Sequence, residues 1–379
     1  MTTRVGTRPS ACAMLIASAF LLLGFGEDRA APAQPTTPAS QPAHADPSAE
    51  GNAPAGLEKS AVAEGEDVFF HESFGGNGRT CATCHDPRNE FTVSPELVQQ
   101  RFQADPSHPL FRPIDSDDGA GNDYTTLLEH ALFRVTIPLH PNVTLVDTPG
   151  ERTITVWRGV PSIANVGLTA PYLQDGRAAR LPEQALGAIN GHMQPTRKPT
   201  ARELRSLEAF QDEFFYPLRL RSLRDTSDTL PKSPGFSTPA TNPAAVRGKA
   251  SFVLHCGRCH DGELANAPRD PAGSNFSNAF VSDGNTLNLP LFRLAFRQPD
   301  GTVIETVTPD PGRAAITGEL RDLNMFDTPS LRGLKHTAPY FHDNAANTLE
   351  DVINHYNLHF QFRILVQERD DLIAFLETL

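Results

Sequence analysis

Cys81-Ala82-Thr83-Cys84-His85 and Cys256-Gly257-Arg258-Cys259-His260 are two copies of one five-residue pattern in a chain of 379 residues. Cys-x-x-Cys-His is the attachment motif of c-type haem. The two thiols bond to the porphyrin vinyl groups, and the adjacent His lies under the iron as a ligand. The pattern therefore predicts two covalently bound haem c groups. The predicted attachment residues are Cys81, Cys84, Cys256 and Cys259, and the predicted iron ligands are His85 and His260.

Two other uses of a Cys-x-x-Cys pair remain open at this point. Each pair could be a thioredoxin-like redox dithiol, or the two pairs could be halves of one zinc site. Neither use explains a His directly after both pairs. The fifth cysteine, Cys12, lies in an N-terminal apolar stretch, so no thiol of the mature chain is left for a disulfide or a free nucleophile.

The N-terminus has the features of an export signal. Arg4 and Arg8 precede an apolar run over residues 11–25, shorter than the ~20 residues that a membrane-spanning helix needs. Ala31-Pro32-Ala33 offers a cleavage site, so residues 1–33 are predicted to be a signal peptide. An uncleaved anchor is the alternative. Since c-type haem is attached outside the bacterial cytoplasm, the mature protein is expected to be periplasmic, with no stable membrane insertion.

The net charge of −12 bears on the partners of the protein. Residues 1–33 carry three Arg and two acidic residues, so the mature chain has a charge of about −13. Such a balance argues against nucleic acid as a partner. It weakly favours a basic redox partner, although an acidic surface also serves solubility.

Composition divides the rest of the chain. Residues 34–58 are rich in Ala, Pro, Ser and Thr and predict a disordered linker. A similar stretch over residues 225–245 marks a boundary. We therefore expect an N-terminal haem domain over residues 59–235 and a C-terminal haem domain over residues 236–379.

The secondary-structure pattern is mainly helical. Before each motif, a Gly and a Phe are spaced four residues apart on a predicted helix, as suits the helix crossing of cytochrome c folds. These pairs are Gly65 with Phe69 and Gly248 with Phe252. β-Hairpins are predicted from residues 134–146 with 153–157, and from residues 291–296 with 302–307. Other helices are predicted over residues 97–102, after capping boxes at Thr200 and Thr348, and at the C-terminus. The expected fold is mainly α, with two cytochrome c-like haem domains and small β-hairpin insertions.

A second repeat accompanies the two motifs. Pro161-Ser162 and Thr169-Ala170-Pro171-Tyr172 recur as Pro329-Ser330 and Thr337-Ala338-Pro339-Tyr340, at a constant offset of 168 residues. Each half therefore has a motif followed by the same loop and helix, which indicates duplication of one cytochrome c-like unit.

The two halves differ at one equivalent position. In the second half, Leu349, Val352, Ile353 and Tyr356 form one inward helical face, so Tyr356 is a candidate axial ligand of the second iron. A buried core Tyr with a hydrogen-bonded hydroxyl is the alternative. The same offset places Ala188 in the first half, where a methyl group cannot bind iron. The pattern predicts one closed and one open haem site. A His/Met site would instead have to recruit Met193 or Met325 from a loop.

The sequence resembles the bacterial di-haem cytochrome c peroxidase family, in particular the branch that includes MauG. The resemblance covers residues 60–379 and includes both haem motifs. It also rests on Arg158-x-x-Pro161-Ser162, Asp175-Gly176-Arg177-Ala178, Glu183-Gln184-Ala185, Asp310-Pro311-Gly312-Arg313, Thr328-Pro329-Ser330-Leu331-Arg332 and Thr337-Ala338-Pro339-Tyr340-Phe341-His342. In the peroxidases a Met fourteen residues after the last His binds the second iron. In the MauG branch a Tyr takes that place, which implies ligation by Tyr356.

The resemblance also implies residues around the open haem. Gln184 matches a Gln of the family, whereas the acid–base Glu of the family falls on Gln194, which cannot ionise. His192 is two residues away and is the alternative acid–base group, or a surface His. A distal His of the family falls on Arg101, which implies that the first haem is open without reductive activation.

Two further family features are altered. The Trp between the family's haems corresponds to Gln174, and the single Trp157 lies elsewhere. The family's calcium site uses backbone carbonyls at Thr337 and Pro339 and an Asn side chain, whose position is Gly159 here. Ca²⁺ is therefore a third implied cofactor, with one ligand missing.

The predicted function is that of a periplasmic di-haem oxidoreductase of the MauG-like type. Hydrogen peroxide would react at the open N-terminal haem, and the C-terminal His/Tyr haem would share or relay oxidising equivalents. A protein electron donor or a protein substrate would supply the electrons. The alternatives are a cytochrome c peroxidase that takes electrons from a small cytochrome, a dioxygen-using haem oxygenase, and an electron carrier.

Overall fold

The structure, a computed structural model, describes residues 55–216, 218, 220–221, 242–267 and 274–379. The predicted signal peptide, nearly all of the linker and most of the boundary segment lie outside the described residues. Residues Ala53–Leu379 pack as one unit. The division of the chain at residues 235 and 236 remains a prediction.

Helices form most of the regular structure. In chain order they are α1 Ala55–His71, α2 Cys81–Cys84, α3 Pro95–Ala104, α4 Thr125–His130, α5 Leu181–His192, α6 Ala201–Gln211, α7 Pro243–His255, α8 Val281–Gly284, α9 Ala314–Thr317, α10 Leu349–Phe360 and α11 Val366–Leu376. Side-chain caps begin several of them. The predicted capping boxes form at Thr200 with Glu203 before α6, and at Thr348 with Asp351 before α10. The predicted helix near residues 97–102 is α3, and the predicted C-terminal helix is α11.

The strands are β1 Phe133–Pro138, β2 Val143–Leu145, β3 Thr153–Arg158, β4 Phe276–Ser277, β5 Phe292–Arg297, β6 Val303–Thr308 and β7 Phe326–Asp327. These named strands pair in antiparallel fashion. β1 pairs with β3, from Phe133 opposite Arg158 to Pro138 opposite Thr153. β5 and β6 form the predicted second hairpin, whose turn contains Gly301 at a φ of +86°. β4 pairs with β7.

One strand differs from the sequence prediction. Residues 134–146 were expected to form one arm of a hairpin, but the chain leaves β1 after Pro138, and β2 pairs with β5 of the second half. The three-stranded sheet therefore has the order β2-β5-β6. Alternation of apolar residues predicts a strand but not its partner, because the same pattern suits either sheet. Ile137, Val143 and Leu294 lie in one buried cluster, so this sheet joins the two halves.

The repeat is visible as two close helix crossings. A Cβ atom on Gly65 of α1 would lie 1.8 Å from the Ser206 carbonyl oxygen of α6, and one on Gly248 of α7 would lie 1.8 Å from the Asp371 oxygen of α11. The adjacent Phe69 and Phe252 are buried at these crossings. Backbones can approach this closely only where the side chain is absent.

The repeated loops also match in conformation. Ala170-Pro171 and Ala338-Pro339 are both cis peptide bonds. Isolated antiparallel bridges follow in each half, between Tyr172 and Ala178 and between Tyr340 and Ala346. Each loop delivers the chain to an equivalent helix, α5 or α10. Within the residues that the structure describes, no helix has the length and hydrophobicity needed to cross a bilayer.

Candidate two-haem site

Both Cys-x-x-Cys-His motifs open into one cavity of about 1440 Å³. In each half the motif comes after a helix that crosses its partner closely, α1 in the first half and α7 in the second. The attachment residues and the two His residues line the cavity: Cys81, Cys84, His85, Cys256, Cys259 and His260.

The two motif histidines are held in the same way. Nδ1 of His85 is 2.8 Å from the Phe91 carbonyl oxygen, and Nδ1 of His260 is 2.8 Å from the Ala265 carbonyl oxygen. Because a carbonyl oxygen only accepts, each Nδ1 carries the proton, and each Nε2 keeps its lone pair. Burial lowers the pKa of both rings, which favours the neutral form that binds iron.

The surroundings of the thiols do not suit a redox dithiol. Burial raises the pKa of Cys81 to about 12, of Cys84 to about 11 and of Cys256 to about 12. Thioredoxin-like chemistry needs the opposite shift, toward the thiolate. The described residues contain no group of three or more His, Cys, Asp or Glu side chains that could hold a metal ion, so the thiols do not converge on a zinc site. Paired thiols beside an oriented imidazole fit covalent haem.

The equivalent positions on α5 and α10 both face this cavity. Ala188 and Tyr356 line it, as the repeat predicts. The Tyr356 ring packs edge-on against Phe341, with ring centroids 5.7 Å apart. Burial raises the pKa of the Tyr356 hydroxyl, and the charges of Cys256 and Cys259 add to the effect.

The Tyr356 hydroxyl makes no hydrogen bond to any of the described residues, whereas the hydroxyl of Tyr340 donates to the Leu334 carbonyl oxygen at 3.1 Å. This contrast weakens the alternative of an ordinary core Tyr with a satisfied hydroxyl. The phenol oxygen of Tyr356 is therefore available to a group bound in the cavity.

The three predicted catalytic side chains are not equivalent in the structure. Gln184 and His192 line the cavity. Gln194 lies outside the cavity lining and is exposed, and its Oε1 accepts a hydrogen bond from Asn77 Nδ2 at 3.0 Å. The positive φ of Gln194, +51°, turns the chain away just after α5. His192 is therefore a better candidate than Gln194 for acid–base chemistry.

His192 shares the cavity with the first motif. Burial lowers the pKa of His192, and the charge of Asp115 opposes this effect. The pKa of His85 is lowered by burial and, to a smaller extent, by the charge of His192. The two rings are thus within electrostatic range of each other.

The positions that replace family residues have other roles. Gln174 lines the cavity, and its Nε2 donates to the Gly159 carbonyl oxygen at 3.4 Å. Trp157 is buried but does not line the cavity. Arg101 donates to the Thr83 carbonyl oxygen at 2.7 Å and pairs with Asp86, so it braces the first motif. Met193 and Met325 both line the cavity.

The implied calcium position has an unexpected neighbour. Thr337 and Pro339 line the cavity, and a Cβ atom on Gly159 would lie 2.2 Å from Asn344 Oδ1. The Asn344 side chain thus fills the space that a residue 159 side chain would take, and its Nδ2 donates to the His130 carbonyl oxygen at 2.8 Å. The sequence prediction missed Asn344. Comparison of the two halves could have singled out Asn344. At an offset of 168 residues the first half has Gly176, so this position has a polar side chain in the second half only.

A buried ion-pair network joins the two halves beside the cavity. Arg158 pairs with Asp175 at 2.7 Å and with Asp310 through two hydrogen bonds of 2.7 and 3.0 Å. Arg177 also pairs with Asp175. Burial acts to raise the pKa of Asp310, but the charge of Arg158 holds it below its usual value. These residues belong to the motifs that carry the family resemblance, but the sequence does not predict their pairing across the halves.

Comparison with known proteins agrees with this geometry. Residues 59–227 match the family model described as di-haem cytochrome c peroxidase. A cytochrome-c peroxidase, IdrP1, of Pseudomonas sp. (strain SCT) is 26% identical over 264 residues, covering 59% of this chain and 68% of that protein. The methylamine utilization protein MauG of Methylorubrum extorquens is 45% identical over 65 residues, covering 14% of this chain and 18% of that protein.

A solved structure shows the same fold. It is the crystal structure of a MauG-like protein associated with microbial copper homeostasis, with a TM-score of 0.51 and 18% identity. The match covers 85% of this chain and 89% of that chain. The mainly α fold with small β insertions is thereby confirmed.

Fold and site together define a peroxidase-type oxidoreductase with two covalently bound haem c groups. More particularly, residues 59–227 of the chain are similar to the di-haem cytochrome c peroxidase family, and the relatives that it matches include cytochrome c peroxidases and MauG.

Proposed function

We propose that the protein is a periplasmic oxidoreductase of the MauG-like type, which uses hydrogen peroxide at its first haem site and shares oxidising equivalents with its second. One observation carries the proposal. Ala188 and Tyr356 occupy equivalent positions on α5 and α10 and face the same cavity, but only Tyr356 offers an oxygen atom.

The first site would be the place of reaction. Cys81 and Cys84 would hold the haem, and Nε2 of His85 would bind its iron on one side. The methyl group of Ala188 has no ligating atom and would leave space in the cavity for a small oxidant. A haem held there would supply an iron that can bind and activate peroxide.

Proton transfer at the first site would fall to His192. A neutral imidazole can take a proton from one peroxide oxygen at a ring nitrogen and return it to the departing oxygen. Burial favours the neutral ring, as the lowered pKa of His192 indicates. The amide of Gln184, which shares the cavity, would orient the peroxide. Gln194 has no acid–base group and is turned away.

The second site would store or relay electrons. Cys256 and Cys259 would hold the haem, and His260 and Tyr356 would bind its iron. A phenolate oxygen is a hard anionic ligand and stabilises ferric over ferrous iron. Because burial raises the pKa of Tyr356, the phenol would release its proton to solvent only when a metal ion binds its oxygen.

The reductant would be a protein that meets the acidic surface of this chain, whose net charge is −12. A second candidate function is that of a cytochrome c peroxidase, which the names of the relatives favour. Steady-state peroxide turnover with a reduced small cytochrome separates the two. Rapid turnover supports the cytochrome c peroxidase, and its absence supports oxidation of a protein substrate.

Electron paramagnetic resonance of the ferric holoprotein tests the proposal. We expect one high-spin and one low-spin haem, and a spectral change on adding hydrogen peroxide. Tyr356→Phe should alter the low-spin signal only, because it removes the proposed ligand oxygen of the second site.

Tyr340→Phe is the matched control, since Tyr340 also lines the cavity but already donates its hydroxyl hydrogen bond to Leu334. It should leave both iron signals unchanged. Two low-spin haems in the wild type, or an unchanged Tyr356→Phe spectrum, would contradict the proposal.

A further inference from the structure

A pair of histidines lies beside Tyr356 on α10, with the ring centroids of His355 and Tyr356 5.7 Å apart. His355 and His359 are four residues apart on α10, so their side chains project from the same face of the helix. Their ring centroids are 4.4 Å apart and their planes differ by 40°. Neither residue lines the haem cavity, and both are half-buried at the surface.

The tautomer of His355 is determined by its hydrogen bond. Its Nε2 is 2.7 Å from the Ala279 carbonyl oxygen. Because the carbonyl can only accept, Nε2 carries the proton, and the lone pair is on Nδ1. Histidines that bind metal ions commonly have this arrangement, in which one ring nitrogen donates to a carbonyl while the other binds the metal.

Both rings are also held in place by aromatic neighbours. The His359 ring stacks on Phe280, with planes within 7° and centroids 5.5 Å apart. The His355 ring packs against Phe341 at 4.8 Å. Such contacts restrict the rings before any ligand binds, which lowers the entropy that binding would cost.

The charge and ligand set favour a particular class of ion. Imidazole nitrogens suit Cu²⁺, Ni²⁺ and Zn²⁺. The Asp343 carboxylate lies within electrostatic range of His355 and adds negative charge. Among the described residues no third His, Cys, Asp or Glu completes a cluster, so water would fill the remaining positions.

We propose that His355 and His359 form a binding site for a divalent transition metal ion on the outer face of α10, and that Cu²⁺ binds there most tightly. The preference follows from the general order of affinities, in which Cu²⁺ exceeds Ni²⁺ and Zn²⁺ for nitrogen ligands. The ion would lie beside the segment that holds Tyr356, outside the haem cavity. This inference does not depend on peroxide chemistry.

Titration of the chelator-treated, haem-loaded full chain with Cu²⁺ alone tests the site. We expect one Cu²⁺ per chain with nitrogen hyperfine structure in its paramagnetic resonance spectrum, and weaker binding of Ni²⁺ and Zn²⁺. His359→Gln should weaken Cu²⁺ binding by at least about tenfold. Loss of a ligand should cost no less than loss of a residue that only supports a ligand, for which about tenfold is the smaller effect seen. His359 is chosen because its replacement leaves the hydrogen bond between His355 and Ala279 intact.

His71→Gln is the matched control. His71 lies exposed at the end of α1, and its ring contacts Asp67 instead of a second His. Its replacement should leave the affinity for Cu²⁺ unchanged, and the haem absorption spectra of both variants should match that of the wild type. Equal affinity in the wild type and in His359→Gln would overturn the proposal, as would equal losses in the two variants. In either case the two rings are only in aromatic contact and form no metal site.

Discussion

His192 and Gln194 are two residues apart on the chain and have opposite surroundings. The His192 side chain faces the cavity at the end of α5, whereas Gln194 adopts a positive φ and binds Asn77 at the surface. An acid–base group has to reach the reacting atoms before its pKa matters. At the residue scale, the conformation of one backbone position therefore decides which side chain is available for proton transfer.

Replacement of these two residues should have unequal effects on peroxide consumption. His192→Ala should lower kcat/KM for peroxide by about 10²- to 10⁴-fold, the usual contribution of a general acid–base group. Gln194→Ala should leave kcat/KM near the wild-type value, because its side chain makes only a surface hydrogen bond. Stopped-flow rates measured between pH 5 and pH 9 provide the comparison. Equal losses in the two variants would argue against the assignment to His192.

At the scale of elements, the two helix crossings position the haem motifs. α1 crosses α6 at Gly65, and α7 crosses α11 at Gly248, each with backbone atoms where a Cβ would be. Phe69 and Phe252 fill the space beside each crossing. Each crossing thereby positions the helix that precedes a Cys-x-x-Cys-His segment, which follows α7 directly and follows α1 after nine residues.

Gly65→Ala and Gly248→Ala should each destabilise the protein by about 1–3 kcal/mol, because the added methyl group meets backbone that cannot rotate away. Gly150→Ala is the control, since no atom lies within 4 Å of its added Cβ. Its effect should stay within about 0.5 kcal/mol. Urea unfolding followed by circular dichroism measures all three. If neither Gly65→Ala nor Gly248→Ala changes the free energy of unfolding, the helices can move apart at the crossings without loss of stability.

The short strand β7 contains a buried acid. Asp327 lines the cavity, and its backbone N–H donates to the Gln174 carbonyl oxygen of the first half at 2.8 Å. Burial raises the pKa of Asp327 to about 7, against smaller opposing effects from the Thr328 N–H and Arg313. A carboxyl group with a raised pKa contributes its stability below its unfolded pKa, near 4, and loses it as the pH rises toward 7.

Asp327→Asn should therefore change the pH dependence of stability. Between about pH 4 and pH 7, the wild type should lose about 1.4 kcal/mol per pH unit relative to the variant. Thermal unfolding at several pH values measures the difference. Glu203→Gln is the contrast. Hydrogen bonding to Arg197 lowers the pKa of Glu203 to about 2, so Glu203 titrates below the pH range in which Asp327 does. Parallel stability curves for wild type and Asp327→Asn would show that Asp327 does not titrate in this range.

At the scale of the whole molecule, the two halves are held together by buried charge as well as by apolar packing. Arg158, at the end of β3, pairs with Asp175 in its own half and with Asp310 in the other. The cluster that contains Ile137 and Leu294 adds apolar contact between the halves. The relative position of the two haem sites thus depends on contacts far apart in the chain.

Arg158→Met should destabilise the protein by about 3–5 kcal/mol, because two buried carboxylates would lose their partner. Arg293→Met is the control. Arg293 is half-exposed and pairs with Asp147 and Glu305 at the surface, where an ion pair contributes at most about 1 kcal/mol. Chemical denaturation of the haem-loaded variants distinguishes these values. If Arg158→Met lowers the free energy of unfolding no more than Arg293→Met does, water must reach the ion pairs of Arg158.

The sequence by itself determined the haem motifs, the duplication, the inward face of α10 and the resemblance to the di-haem peroxidases, since each depends on spacing within short segments. The structure confirms the helices and the second hairpin for the same reason, because hydrogen bonds within a helix or a tight turn are local. Only the tertiary structure decided that β2 pairs with β5, that Asn344 fills the space beside Gly159, and that Arg158 joins the two halves. Those contacts connect residues more than 100 positions apart, and their energies depend on which surfaces meet when the whole chain packs.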